Sequence, residues 1–148
     1  MTGAPPDFSL NNKGGTMMGM RLQSYAAVVA FVLLTAFGAG TPIVNIQSAA
    51  IPPNPSATLG NIEKAIVRAG LTLGWQITPM GPGKVEGVLV IRRHRAVIDI
   101  TYDTSSFSIH YKDSVNLDYD AQSQTIHSNY NGWIRNLETG IRAQVTVL

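Results

Sequence analysis

The chain has 148 residues, 11 basic and 9 acidic side chains, a formal net charge of +2 and no cysteine. A length of this order fits one domain, and an excess of two charges gives no electrostatic argument for nucleic-acid binding, where a clustered basic face is expected. The missing cysteine excludes disulfides, thiolate zinc sites, cysteine nucleophiles and a lipidated cysteine.

Residues 1–20 are Gly-, Pro- and Asn-rich and lack apolar periodicity. They read as disordered, or as sequence upstream of a true start at Met17, Met18 or Met20. Residues 21–40 read as a signal peptide or membrane anchor. Arg21 precedes thirteen uncharged residues, 25–37, and the small residues Gly38, Ala39 and Gly40 follow. A positive flank, a short apolar run and small residues make the three-part pattern of an export signal. If uncleaved, residues 25–44 approach a membrane-spanning length. Pro42, Pro52, Pro53 and Pro55 mark residues 41–57 as an extended linker, and residues 58–148 form the domain.

Within the domain, Leu59, Ile62, Ile66, Ala69 and Leu73 recur at helical spacing. This predicts a helix over 58–69, capped by Ser56 or Thr58 and stopped by Gly70. A short strand, 75–78, ends at Pro79, and Gly81-Pro82-Gly83 is a turn signal. Strands follow at 84–92, 96–102 and 107–112, the last two alternating apolar and polar. Arg93-His94-Arg95 forms a tight connection, and 103–106 a turn. Residues 113–128 are polar, with room for a short strand at 115–119. A closing helix over 131–147 carries Ile134, Leu137, Ile141, Val145 and Leu148 on one stripe, with Asn129 or Asn131 as its cap. The expected fold is α+β: an antiparallel meander of three to four strands, flanked by an N-terminal and a C-terminal helix packed on one face.

No motif specifies a reaction. His110, with Ser108 and Lys112, falls on the wet side of its strand. Neither His94, His110 nor His127 has a partner at metal-ligand spacing. Ser114, His127 and Asp118 supply the residue types of a triad, without the strand–turn–helix elbow that presents a serine. A small metal-dependent or hydrolytic enzyme would have to use His110 and His127 with nearby Asp. Neither a metal nor a cofactor is implied. The richest binding surface in the sequence is the Tyr, Asn and His segment, because aromatic rings pack while amides hydrogen-bond. Its candidate residues are His110, Tyr111, Asn116, Tyr119, His127, Tyr130 and Asn131, facing a sugar, a peptide or an envelope partner. Turns, caps and a buried Trp133 would use the same residue types. Arg92, Arg93 and Arg95 form the one basic cluster, either a solvated hairpin end or a contact for anionic headgroups.

Ile66-Val67-Arg68-Ala69-Gly70, Leu73-Gly74-Trp75, Gly81-Pro82-Gly83, Tyr111-Lys112-Asp113-Ser114, Asn116-Leu117, Ile126-His127, Tyr130-Asn131 and Trp133-Ile134 resemble a family of small uncharacterised proteobacterial lipoproteins. The likeness covers about residues 42–148. It implies an exported location and this fold, with no activity attached. Members carry a lipid-bearing cysteine after the signal. This chain has Ala39-Gly40-Thr41 in that neighbourhood, so the resemblance does not extend to lipidation.

Overall fold

The computed structural model describes Gly3 and residues 40–148; the expectations for residues 4–39 lie outside it. The described chain runs β1 (Thr41–Pro42), β2 (Ile46–Ala50), α1 (Leu59–Thr72), β3 (Gln76–Gly81), β4 (Lys84–Ile91), β5 (His94–Tyr102), β6 (Ser106–Val115), β7 (Thr125–Ile126) and α2 (Ser128–Thr146). A five-stranded antiparallel sheet in the order β2-β6-β5-β4-β3 carries both helices on one face, and β1 and β7 form a separate two-stranded ribbon.

The meander β3–β6 follows from alternation and turn chemistry. Pro82 and Gly83, the latter at φ +75°, close β3 onto β4, as a turn with proline first and glycine second requires. Asp103 closes β5 onto β6. Its Oδ1 accepts the Ser105 and Ser106 N–H groups at 2.6 and 2.7 Å, a side-chain mimic of a backbone turn. β3 runs past Pro79 to Gly81. It tolerates the proline because it is an edge strand with a ladder on one side only.

One sheet face is core. Val85 and Leu89 of β4, Ala96, Ile98 and Ile100 of β5, and Phe107 and Ile109 of β6 point into it. They meet Ile62, Ala65, Ile66 and Ala69 of α1 and Ile134, Leu137, Ile141 and Val145 of α2. Tyr102 adds a polar tie: it is buried, and its hydroxyl donates to Glu63 Oε2 at 2.5 Å. Burial first, then that carboxylate, pushes the phenol far above its ordinary range.

Two helix ends differ from the expected ones. α1 continues through Gly70, which is helical and buried against Ile77. The stop is Gly74 at φ +82°, whose N–H donates to Leu71 O while the Trp75 N–H donates to Gly70 O. This paired arrangement is the Schellman stop. α2 begins three residues earlier than expected, and its cap is His127, whose Nδ1 accepts the Asn129 N–H at 3.2 Å.

The 41–57 stretch is extended and takes part in the domain. β2 pairs with β6, and Ala49 and Ile51 are buried. Ser48, at φ +47°, forms the bulge in this pairing and donates its N–H to Ser108 Oγ. Pro52, Pro53 and Pro55 fall after the strand, where no ladder hydrogen bond is needed.

Candidate functional site

The turn joining β4 to β5 is Arg92-Arg93, closed by the Ile91–His94 pair. Asn116 holds it. Its Nδ2 donates to Arg93 O at 2.7 Å, and its own carbonyl lies 2.6 Å from His94 Nδ1. Asn116 sits at φ +56° and Asp118 at +49°, a region that Asn and Asp enter more readily than other residues. These bends end β6 and turn the chain toward β7. The His127 N–H donates to Leu117 O, and the His127 ring lies 6.0 Å from that of His94. One pole of the domain thus gathers the Arg92-Arg93 turn, the 116–119 bend, β7 and the start of α2.

Most of the polar and aromatic residues expected to bind a ligand are engaged at this pole in holding the fold. Asn131 is buried. Its Oδ1 accepts the Val44 N–H at 2.9 Å, and its Nδ2 donates to Pro42 O at 2.8 Å and Thr41 Oγ1 at 3.1 Å. Tyr130 is fully buried, and its hydroxyl has no hydrogen-bond partner among the described residues. Its ring meets Tyr111 edge-on at 5.8 Å, a separation typical of attractive aromatic pairs, and the Tyr119 ring lies against Tyr111 at 4.2 Å, tilted by 31°. Burial pushes the Tyr130 phenol far above its ordinary range, and raises that of Tyr111 as well. Tyr111 and Tyr119 are half-buried, as is Trp133.

His110 belongs elsewhere. It points away from the helices, in register with Asp99 of β5. His127 lies on the helix side, so the sheet separates the two histidines. Among the described residues, no three His, Asp or Glu side chains are placed to hold a metal ion.

The face carrying His110 has no covering layer among the described residues. Cross-strand register divides it in two. Toward the β3–β4 turn it is charged: Lys84 reaches Asp99 at 3.0 Å, and Lys112 reaches Glu86 at 2.7 Å and Asp99 at 3.5 Å. The Glu86 carboxylate, ahead of the other contacts, raises the Lys112 ammonium above its ordinary value. Toward the Arg92-Arg93 turn the face carries valines and Arg95, with the exposed acid Asp113 in register with Val97. Val88 pairs with Val97, Val90 with Arg95, and Arg95 with Val115. The sequence announces the arginines as a cluster. The valines beside them come from register, and periodicity in β4 alone, where apolar residues occupy both faces, does not single them out.

These features define a two-layer α+β domain with one open sheet face and a pole rich in arginine and histidine. No family model, curated protein or solved structure matches the chain.

Proposed function

We propose that the chain is a non-enzymatic module of the bacterial cell envelope. On this reading it lies in the periplasm or is tethered to the membrane through the apolar run 25–37, and acts by binding a partner or a glycan. Residues 41–44, expected as the end of an anchor, belong to the folded domain. The observation that carries the reading is how the domain uses its polar residues. His127 caps a helix, Asn116 pins a turn, Asn131 ties down the N-terminal strand, and Asp103 folds a hairpin. Among the described residues, the sheet face that carries His110 is meanwhile left without a covering layer.

The envelope location is supported by Arg21, the apolar run 25–37 and the small residues after it. The resemblance to small proteobacterial lipoproteins points the same way. Fractionation of producing cells, with intact mass of the recovered chain, tests the location. The expected result is a periplasmic species beginning near Ala39 or Thr41, or a full-length species in the membrane pellet. Full-length chain in the cytosolic fraction overturns the reading.

A further inference from the structure

We propose that the β4–β5 turn is a membrane-contact tip, which lays its valines and arginines onto an anionic phospholipid surface. The inference rests on the tethered form of the reading above.

The tip joins two kinds of side chain in one place. Val90 is 61 % exposed, Val115 47 % and Ile91 39 %. Val90, Arg95 and Val115 form a single cross-strand row on the open face. Arg92 and Arg93 project beyond that row and are exposed; among the described residues neither makes an ion pair. Arg95 has only a 3.4 Å contact to Asp113, whose side chain is 61 % exposed. Aliphatic groups flanked by arginines match a bilayer interface, where the first enter the acyl boundary and the second meet phosphate.

The backbone presents this turn at a cost to itself. Arg92 sits at φ +56°, a conformation hairpin turns normally give to glycine or asparagine. An arginine kept there, with the turn pinned by Asn116, puts a charge at the apex where the fold alone would favour glycine.

The described chain starts at the same pole as the tip. Gly40 lies against Ile126, and Thr41 pairs with it. The next residue, His127, has its ring 6.0 Å from His94 in the tip. Only residues 38 and 39 separate Gly40 from the apolar run ending at Phe37, a span of about 10 Å when fully extended. The described chain therefore begins at the pole that carries the tip, the end of the domain nearest in sequence to the apolar run. Three arginines alone fall short of a polybasic lipid-binding cluster. With a tether supplying high local concentration, the second contact need only be weak.

The chain has no cysteine, so one introduced cysteine gives a unique label. Full-length Val90→Cys and Val115→Cys chains, each carrying an environment-sensitive fluorophore, are reconstituted in vesicles of phosphatidylcholine with or without phosphatidylglycerol. Thr104→Cys, on the β5–β6 turn at the other end of the sheet, is the control. The expected result is a blue shift and quenching by spin-labelled lipid at positions 90 and 115 on anionic vesicles. The signal weakens on neutral vesicles or in high salt, and position 104 does not respond. Each of Arg92→Gln, Arg93→Gln and Arg95→Gln lowers the docked-to-free ratio of the tip about fivefold, the equivalent of about 1 kcal/mol per arginine.

A chain that associates with vesicles while the label at 90 stays in water overturns the tip and leaves the tether standing. A chain that does not associate at all removes the tether as well. A blue shift that grows with protein concentration in the absence of lipid assigns the surface to a second copy, and also overturns the proposal.

Discussion

Asn131 shows how a residue suited to ligand binding can be consumed by the fold. Its amide makes three hydrogen bonds, to Val44, Pro42 and Thr41, and together they hold residues 41–44 against α2. Asn131→Ala leaves the half-buried Val44 N–H without its acceptor, at a cost of about 1–3 kcal/mol. The measurement is the denaturation midpoint, with limited proteolysis of residues 41–46 as a local readout. Faster cleavage there is expected; an unchanged midpoint and cleavage rate would show that Asn131 is free for another role. Asp103 makes a pH-dependent counterpart. The Ser105 hydroxyl first, then the Ser105 and Ser106 N–H groups, hold its carboxyl below the ordinary value. A carboxyl depressed in the folded state adds stability above its unfolded value of about 3.9, and loses it as pH falls through the folded value. The Tm gap between the native chain and Asp103→Ala is therefore present at pH 7 and closes in the acid range below pH ~4. A gap that holds constant down to pH ~2 would remove the carboxylate as its cause.

The two glycines near the end of α1 are alike in sequence and opposite in physics. Gly74 is required for its φ of +82°, whereas Gly70 is required for space, since a Cβ there would overlap the Ile77 side chain. Gly74→Ala should cost about 1–2 kcal/mol through backbone strain. Gly70→Ala should cost about 1–3 kcal/mol through overpacking. Adding Ile77→Ala distinguishes the mechanisms: it relieves the Gly70→Ala penalty in a double-mutant cycle and leaves that of Gly74→Ala intact. Equal coupling of both glycines to Ile77 would contradict the assignment. Local pattern made the meander and the two apolar helix stripes legible, because alternation and three- and four-residue spacing are written into short windows. It misplaced the α1 stop, because helical and left-handed glycines look identical in sequence. It missed His127 as a cap because imidazole is an uncommon one. At the candidate site the arginines were legible as a run. Their valine neighbours were not, since the Val90–Arg95–Val115 row exists only once three strands are in register.

The placement of β2 decides what counts as the domain. Its residues lie before α1 in the chain, yet they pair with β6 at the far side of the sheet. A pairing across about sixty residues leaves no local trace, and the surrounding prolines disguise the segment as a spacer. Physically it is the closing strand of the sheet. It covers the β6 edge and brings Ala49 and Ile51 into the core at 5 % and 4 % exposure. The consequence is testable with three chains: the full sequence, residues 41–148 and residues 58–148. If 41–57 were a spacer, the two shorter chains would melt alike. With β2 in the sheet, removing it bares the Ser106–Ile109 part of the β6 edge, a template for pairing with other copies. The 58–148 chain should therefore lose cooperative unfolding or aggregate, while 41–148 keeps the Tm of the full sequence. Ala49→Asp in the full chain checks the conclusion without truncation, because it buries a carboxylate at a 5 %-exposed position that offers no counter-charge from its own strand. Strong destabilisation of that variant, beside a well-folded 41–148 chain, makes residues 41–57 part of the folded unit. It then leaves only the few residues before Gly40 to join the domain to the apolar segment.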